Sequence, residues 1–270
     1  MGLFRVLTIA GSDSGGGAGI QADLKTFTAL GAYGMTAITS VTVQNTVGVY
    51  GVYDLPPKAV YDQIKAVAED IGVDSAKTGM LSNREILLEV VRAIRDFEIP
   101  NLVVDPVFVA KSGDRLLAED SVEVLVKELI PLAEVVTPNI PEAEALCGEE
   151  IRKLRDAENC ARKILSMGAR AVVVKGGHFE GEKAIDILYT GGEEFHYFVR
   201  DRLPARNTHG TGCTFSSAVA VFLARGLDVI EAVGRAKEYV YRAIETAPSL
   251  GRGHGPLNHL WNIEKCAQQF

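Results

Sequence analysis

One segment of the sequence, residues 207–214, has the composition of an anion-binding loop. It reads Asn-Thr-His-Gly-Thr-Gly-Cys-Thr and directly precedes an apolar stretch that predicts a helix over about Thr214–Arg225. Gly210 and Gly212 would leave backbone N–H groups at the helix N-terminus free to face an anion, and such donors stabilise the charge that develops in phosphoryl transfer. Cys213 would lie where the helix dipole lowers the pKa of a thiol. An ordinary helix start with a buried cysteine is the alternative.

A second glycine-rich segment, residues 11–19, follows a predicted strand over Arg5–Ala10. It reads Gly-Ser-Asp-Ser-Gly-Gly-Gly-Ala-Gly, and such a run lets the backbone approach a ligand closely. It matches neither standard phosphate motif, because no Gly-Lys-Ser/Thr follows and the Gly-x-Gly-x-x-Gly spacing fails at Ile20. A flexible turn and a ligand loop therefore both remain open.

Polar residues stand at or just after the ends of three further predicted strands. Asp105 ends Leu-Val-Val-Asp, and Lys175 ends Ala-Val-Val-Val-Lys. Asn139 and Glu142 follow Glu-Val-Val-Thr. Ligands on open α/β sheets bind beyond the carboxyl ends of the strands, where two carboxylates, an amide and a lysine could hold Mg²⁺ and nucleotide phosphates. Each residue alone is a weak signal, because surface loops are rich in these types, but their matched positions together predict a site.

The elements that must position these residues alternate along the chain. Short β-branched runs predict strands over Arg5–Ala10, Met35–Val43, Ser75–Thr78, Leu102–Asp105, Glu134–Thr137 and Ala171–Lys175. Periodic apolar residues predict helices over about Ala18–Leu30, around Val60, Ile64 and Val67, from a capping box at Ser82 and Glu85 to Phe97, and over Asp120–Leu129, Asp156–Met167, Thr214–Arg225 and Val229–Thr246. This alternation predicts an α/β fold with a mostly parallel sheet covered by helices on both faces.

The alternation is expected to break once, at an antiparallel edge hairpin. Ile185–Thr190 and Glu194–Arg200 flank Gly191-Gly192, a dipeptide typical of hairpin turns. The sequence contains no Pro/Ser-rich linker, internal repeat or low-complexity tract. Residues 1–270 are therefore predicted to form a single domain.

Composition restricts the class of protein. Hydrophobic residues make up 47% and charged residues 23% of the 270 residues, as in globular proteins. The net charge of −7 argues against a nucleic-acid partner. No window approaches 18 uninterrupted apolar residues and the N-terminus lacks the pattern of a signal peptide, so a cytoplasmic protein with no membrane partner is expected. Cys147, Cys160 and Cys266 are widely spaced and are expected to be free thiols.

Several segments, taken in order, resemble one enzyme family. They read AGSDSGGGAGIQADLKTF, TSVTVQNT, KTGML, VVDPVFVAKSG, TPNIPEAE, VVKGGH and NTHGTGCTFSSA. In this order they resemble the hydroxymethylpyrimidine/phosphomethylpyrimidine kinases of thiamine biosynthesis, which belong to the ribokinase-like superfamily, and the resemblance runs from about Val6 to Gly253–Gly255. It implies a three-layer α/β/α ribokinase-like fold, ATP and Mg²⁺ as cofactors, a homodimer, and phosphorylation of 4-amino-5-hydroxymethyl-2-methylpyrimidine and then of its monophosphate.

The resemblance also implies residue roles. Gln44 would read the amino group and a ring nitrogen of the pyrimidine, because an amide offers a donor and an acceptor together. The other residues implied to line the substrate pocket are Gly11, Asp23, Met80 and Val107. Asp105 and Glu142 would act through Mg²⁺. The residues implied to lie near ATP are Asn139, Lys175, Thr208, His209 and Lys237, and those implied to act in phosphoryl transfer are Lys175, Gly210, Thr211, Gly212 and Cys213.

The sequence departs from the wider superfamily at Cys213, where most members carry an aspartate that serves as the base. The cysteine is typical of the pyrimidine-kinase branch, and it leaves open whether a thiolate accepts the proton or positioning alone suffices. A pyridoxal or pyridoxine kinase is the alternative within the same class, since its substrate is also a hydroxymethyl heteroaromatic, although Gln44 and Cys213 favour the pyrimidine. A non-catalytic pyrimidine or nucleotide sensor is the alternative from another class. Loss of the carboxylates or of the Gly-Thr-Gly donors would favour a sensor, and this sequence retains all of them.

Overall fold

The computed structural model describes residues 2–108, 121–176 and 181–263, and the nine strands within those ranges form one sheet. The strands are β1 (Arg5–Asp13), β2 (Tyr33–Gln44), β3 (Val49–Asp54), β4 (Ser75–Thr78), β5 (Leu102–Val104), β6 (Val135–Val136), β7 (Val172–Val174), β8 (Lys183–Tyr189) and β9 (His196–Asp201). Their order across the sheet is β3-β2-β1-β4-β5-β6-β7-β8-β9. Strands β1, β2 and β4–β7 run parallel, which confirms the predicted α/β class.

Helices cover both faces of this sheet. They are α1 (Gly19–Ala29), α2 (Pro57–Asp70), α3 (Arg84–Asp96), α4 (Ser121–Val124), α5 (Ile140–Cys147), α6 (Leu154–Leu165), α7 (Thr211–Ala224) and α8 (Val229–Glu245). Helix α4 continues as a π-helical turn over Leu125–Leu129 and a 3-10 turn over Ile130–Leu132. Successive strand residues point to opposite faces, so Val104 joins the hydrophobic cluster with α2–α6 whereas Val103 joins the cluster with α1, α7 and α8. The result is the predicted three-layer arrangement.

Both edges of the sheet are antiparallel, so the expectation of a single interruption is wrong. The predicted hairpin exists as β8 and β9, which pair antiparallel. Strand β3 was not predicted, and it pairs antiparallel with β2 through Val41↔Tyr53 and Thr42↔Val52. No residue of β3 is buried. Without a buried face the segment lacks the alternation by which a strand is recognised in a sequence.

Two helix starts also differ from prediction. Asn83, not Ser82, caps α3 by accepting a hydrogen bond from the Ile86 N–H. Ser82 instead donates its hydroxyl to Asp54 of β3, a contact that no local pattern shows. Helix α5 was not predicted, because it is only eight residues long and contains a proline. Its Pro141 lies in the first turn, where a missing N–H costs nothing.

The expectation of free thiols is wrong for two of the cysteines. Cys147, at the end of α5, and Cys160, within α6, form a disulfide. Their sequence separation of 13 residues gives no recognisable motif, but the packing of α5 on α6 brings their Cα atoms to 5.4 Å, within the usual range for a disulfide. Cys266 lies outside the described residues. Within the described ranges no helix combines the length and the apolarity needed to cross a bilayer.

Candidate active site

The carboxyl ends of the parallel strands bring predicted site residues together. Asp105 follows β5 and Lys175 follows β7, and Lys175 Nζ lies 2.9 Å from Asp105 Oδ1. Asp105 also accepts hydrogen bonds from Thr137 Oγ1 at 3.2 Å and from Ser216 Oγ at 3.4 Å. Burial lowers the pKa of Lys175, but Asp105 and the nearby Glu142 more than offset this and raise it overall, so Lys175 is an ammonium. The carboxylate of Asp105 is thus held from two strand ends and one helix.

The first turn of α7 contains the predicted anion loop. Gly210, the N-cap residue, has a φ of +83°, a left-handed conformation that glycine adopts without strain. A Cβ atom at Gly212 would lie 3.2 Å from Lys175 Nζ and 3.4 Å from Asp105 Oδ2. The N–H groups of the first turn, including those of Gly212 and Cys213, have no acceptor within the helix itself. A helix N-terminus, an ammonium and a carboxylate therefore meet at one point, where glycine keeps the space between them free of side chain.

Glu142 stands beside this point as part of a helix cap. Asn139 Oδ1 accepts the Glu142 N–H at 2.9 Å, and Glu142 Oε2 accepts the Asn139 N–H at 2.8 Å, so the two residues form the capping box of α5. Burial raises the pKa of Glu142 to about 7, Lys175 opposes this, and Asp105 raises it further by repulsion between carboxylates. The described residues contain no group of three or more His, Cys, Asp and Glu arranged to hold a metal ion. A cation here would therefore bind through Asp105 and Glu142 together with ligands from outside the chain.

A second lysine, Lys77, lies beneath the site and has no exposed surface. Its Nζ contacts both carboxylate oxygens of Asp23, at 3.0 and 3.1 Å. Asp23 also accepts hydrogen bonds from Thr8 at 2.6 Å and Ser217 at 2.7 Å. Asp23 is itself fully buried, so a contact between its side chain and a substrate stays a prediction. All of its capacity to accept hydrogen bonds is used to fix Lys77, β1 and α7 together.

Cys213 lies between these two charged groups, and its chemistry differs from the expectation. Burial raises the pKa of the Cys213 thiol to about 11, Lys77 opposes this, and Asp23 and Asp105 raise it further. The helix N-terminus and a hydrogen bond from the Gly19 N–H do not overcome burial. The expected depressed pKa is therefore wrong, and Cys213 is a neutral thiol at pH 7.

Of the remaining residues of the predicted substrate pocket, Gly11, Met80 and Val107 lie near one another, and Gln44 lies beside the glycine-rich segment. A Cβ atom at Gly11 would lie 3.1 Å from Met80 Sδ. Val107 borders one small cavity with Gly79, the residue before Met80. Gln44, half-buried at the end of β2, lies next to the glycine-rich segment, since its backbone N–H and C=O both bond the Ser14 hydroxyl.

Three residues predicted to lie near ATP instead hold the framework around the loop. His209 is 8% exposed, and its Nε2 lies 2.9 Å from Asp13 Oδ2, so this nitrogen is not available to a phosphate. The carbonyl of Thr208 accepts the Thr211 hydroxyl at 2.7 Å. Lys237 Nζ lies 2.7 Å from Asp186, which in turn accepts the Gly176 N–H just after Lys175. A contact between these residues and a nucleotide stays a prediction.

A model of the family described as phosphomethylpyrimidine kinase matches residues 13–258. The chain belongs to this family. The hydroxymethylpyrimidine/phosphomethylpyrimidine kinase of Bacillus subtilis strain 168 is 46% identical over 259 residues, which cover 96% of this chain and 96% of that protein. The thiamine biosynthesis bifunctional protein ThiED of Geobacter sulfurreducens is 51% identical over 259 residues, which cover 96% of this chain but 53% of that protein. The chain thus spans about half of the bifunctional relative and nearly all of the kinase.

Solved structures agree with the family. The phosphomethylpyrimidine kinase from Clostridium difficile 630 superposes with a TM-score of 0.79 at 48% identity, covering 89% of this chain and 99% of that one. The pyridoxal kinase from Staphylococcus aureus in complex with AMP-PCP and pyridoxal superposes with a TM-score of 0.88 at 36% identity, covering 96% of this chain and 94% of that one. The predicted ribokinase-like fold is confirmed.

For this family member, sequence reasoning assigned no role to Lys77 or Asp13. Lys77 lies inside a predicted strand of only four residues, and this position was the signal available in the sequence. A lysine is almost never fully buried without a partner, so a lysine in a buried strand indicates a partner such as Asp23. Asp13 lies within the glycine-rich segment, and its partner His209 is 196 positions away. No local pattern connects them.

Proposed function

We propose that this chain transfers a phosphoryl group from ATP to the hydroxymethyl group of 4-amino-5-hydroxymethyl-2-methylpyrimidine, and a second one to the resulting monophosphate, in thiamine biosynthesis. The observation that supports this most is the meeting of the α7 N-terminus, Lys175 and Asp105 at the carboxyl edge of the sheet. Preorganised N–H donors beside an ammonium group suit the charge that develops on a transferred phosphoryl group. The relatives that are named hydroxymethylpyrimidine/phosphomethylpyrimidine kinase support the choice of substrate.

Each group of the site has its own task in this proposal. The N–H groups of Gly212 and Cys213 donate to oxygens of the transferred phosphoryl group, and Gly210 provides the turn that aims them. Lys175 adds positive charge at the same place. Asn139 Oδ1 is occupied by the helix cap, so the amide nitrogen is the group that would face the phosphates. Positioning of the substrate hydroxyl carries most of the catalysis, because a dissociative transition state needs little help from a base.

Mg²⁺ fits the donors that are present. The Asp105 carboxylate disfavours ionisation of Glu142 by raising its pKa, and a divalent cation between the two groups would relieve that repulsion. Mg²⁺ usually binds through one or two carboxylates together with water and substrate phosphates, so a site with only two protein ligands suits it. Bound there, the ion would neutralise phosphate charge while Lys175 stays paired with Asp105.

A coupled assay of ADP release tests the proposal. Four acceptors are compared at equal concentration: hydroxymethylpyrimidine, its monophosphate, pyridoxine and ribose. The first two are expected to support turnover and ribose is not. ADP release with none of the four would instead favour a non-catalytic sensor.

A pyridoxal kinase activity is the second candidate. The likeness to the pyridoxal kinase of Staphylococcus aureus supports it, since that structure has a TM-score of 0.88 against this chain. A kcat/KM for pyridoxine above that for hydroxymethylpyrimidine in the same assay would establish this candidate as the main activity.

A homodimer and a cytoplasmic location complete the proposal, with residues 1–270 as one kinase domain. The continuous nine-strand sheet of the described residues supports a single domain. Val41, Val43 and Tyr53 share one face of the β2–β3 ladder and are 43%, 46% and 67% exposed. An exposed apolar patch of this kind is typical of a protein–protein interface, and we propose that a second copy of the chain covers it. Light scattering after size exclusion should give twice the chain mass, and Tyr53→Asp should reduce it to one.

A further inference from the structure

The Asp13 carboxylate faces four hydrogen-bond donors. Its Oδ1 accepts the Gly15 N–H at 2.8 Å, and its Oδ2 accepts the N–H groups of Gly17 at 3.0 Å and Ala18 at 2.8 Å. His209 Nε2 lies 2.9 Å from the same Oδ2. Burial alone would raise the pKa of Asp13, but the hydrogen bonds from His209 and the backbone hold it below its ordinary value. Asp13 is therefore an ionised acceptor, and His209 Nε2 must carry the hydrogen.

That hydrogen determines which end of the Gln44 amide faces His209. As the amide is assigned in the structure, Gln44 Nε2 lies 3.3 Å from His209 Nε2 and Oε1 lies 3.1 Å from Thr42 Oγ1, and a flip of the amide exchanges these two atoms. A nitrogen that already carries a hydrogen cannot accept another from an amide NH₂ group. The oxygen and nitrogen of a glutamine amide are assigned from such networks. The atom next to His209 is therefore the oxygen, Oε1.

The other end of the amide gives the same orientation. Thr42 Oγ1 has one hydrogen, and the carbonyl of Ser12 lies 2.9 Å away as its acceptor. Thr42 Oγ1 can then only accept from Gln44, so the atom facing it is Nε2. A chain of bonds from Gln44 through Thr42 to Ser12 is complete in this orientation and broken in the reverse one.

We propose that Asp13 and His209 are positioning residues that hold the Gln44 amide in one orientation and so decide which way round the pyrimidine ring binds. The inference rests on the proposed function and deepens it. Gln44 then presents a free lone pair on the His209 side and a free N–H on the Thr42 side.

The chemistry of the ring gives this orientation a consequence for phosphoryl transfer. An aminopyrimidine pairs with the amide when its amino group meets the oxygen and its ring nitrogen meets the N–H. The amino group then lies on the His209 side. The hydroxymethyl group is attached to the next ring carbon beyond the amino group, so it lies further in the same direction. His209 directly precedes Gly210, so the hydroxyl is directed towards the loop of Gly212 and Cys213.

A 4-oxo analogue of the substrate tests the orientation. Its ring N–H donates and its oxygen accepts, so it pairs with the same amide only when it is turned over, and its hydroxymethyl group then points away from α7. The wild-type protein should phosphorylate the amino substrate and strongly disfavour the oxo analogue. His209→Leu removes the hydrogen that orients Gln44, and the ratio of kcat/KM for amino over oxo substrate should fall about tenfold or more. His209→Gln carries an N–H at similar reach and should restore most of the ratio.

The ratio of kcat/KM for amino over oxo substrate distinguishes a loss of Gln44 orientation from general damage to the loop. A purely structural role for His209 would lower the rates for both substrates alike and leave the ratio unchanged, and an unchanged ratio in a folded His209→Leu protein would overturn the inference. If that variant does not fold, Thr42→Val, which keeps the volume and removes the acceptor for Gln44 Nε2, must lower the ratio for the inference to stand. A wild-type protein that releases no ADP with the amino substrate would instead sink the proposed function, and the inference with it.

Discussion

Two lysine–aspartate pairs lie within electrostatic reach of Cys213, and they differ in what surrounds them. Lys77 and Asp23 have side-chain exposures of 0% and 0%, and Thr8 and Ser217 also bond the Asp23 carboxylate. In the pair of Lys175 and Asp105 the lysine is 14% exposed.

The difference shows how the same two residue types serve separate purposes. The inner pair, Lys77 and Asp23, is neutral overall, and the Asp23 carboxylate accepts hydrogen bonds from Lys77, Thr8 and Ser217, so this pair needs no ligand and fixes the base of α7. The outer pair, Lys175 and Asp105, has a second carboxylate beside it, that of Glu142, which interacts with both residues. One ammonium against two carboxylates leaves a site that a divalent cation and phosphate groups would complete.

The largest expected effect comes from breaking the inner pair. Lys77→Met should lower the free energy of unfolding by about 3–5 kcal/mol, because Asp23 is left buried without a counter-charge. Lys175→Met is the matched control. It should cost less stability, because Lys175 is 14% exposed, so water can reach the vacated position, and because Lys77 still interacts with Asp105, but it should lose phosphoryl transfer. Urea unfolding followed by circular dichroism measures the first quantity and ADP release the second. Equal destabilisation by the two variants would contradict the comparison.

Filling the space at the outer pair should have the next largest effect. Gly212→Val places a side chain against Lys175 and Asp105 and displaces the N–H donors, so phosphoryl transfer should nearly disappear. Loss of one such donor typically raises the barrier by about 3 kcal/mol. Steady-state kcat measures this, and an unchanged melting temperature shows that the fold survives. A variant with near-normal kcat would mean that the loop does not contact the transferred group.

The Mg²⁺ requirement should depend on pH through Glu142. Its pKa of about 7 means that it is protonated below neutral pH and ionised above, so the Mg²⁺ site loses charge as the pH falls. The Mg²⁺ concentration for half-maximal rate should rise by up to about tenfold per pH unit below 7 and level off above it. Glu142→Gln should need more Mg²⁺ than the wild-type protein above pH 7, approach the wild-type requirement at low pH and lose this dependence, and Asp105→Asn should also need more. Full turnover in excess EDTA would show that phosphoryl transfer does not require a metal ion at this site.

Cys213, which lies between the two pairs, should have the smallest effect. A thiol with a pKa of about 11 is protonated at neutral pH, so Cys213→Ala should cost about tenfold or less, mostly in KM, with an unchanged pH profile. If a thiolate were the base, the loss would be about 10²–10⁴ in kcat. Cys213→Asp would then recover part of it. Such a result would show that the substrate complex lowers the pKa of this thiol.

Local patterns were sufficient for the fold class and for the neighbourhood of the site. The parallel sheet follows from β-branched runs alternating with amphipathic helices, and the anion loop follows from Gly210 and Gly212 before an apolar helix. Both are short-range signals, because strand and helix periodicity and the conformational freedom of glycine belong to a few consecutive residues. The sequence also predicted that Asp105 and Lys175 lie together, since both stand at strand ends and parallel strands bring their carboxyl ends to one edge of the sheet.

Burial and partners distant in sequence were decided only by the tertiary structure. Asp23 and Asp105 are both acidic residues in recognisable motifs, yet one is saturated by Lys77, Thr8 and Ser217 while the other faces the site. The pKa of Cys213 depends on desolvation that no helix-dipole argument contains. The proposed orientation of Gln44 depends on His209, whose Nε2 hydrogen is held in place by Asp13, 196 positions away. Desolvation and hydrogen-bond direction are properties of packed neighbours, and these neighbours are assembled only when the sheet and its two helix layers close around them.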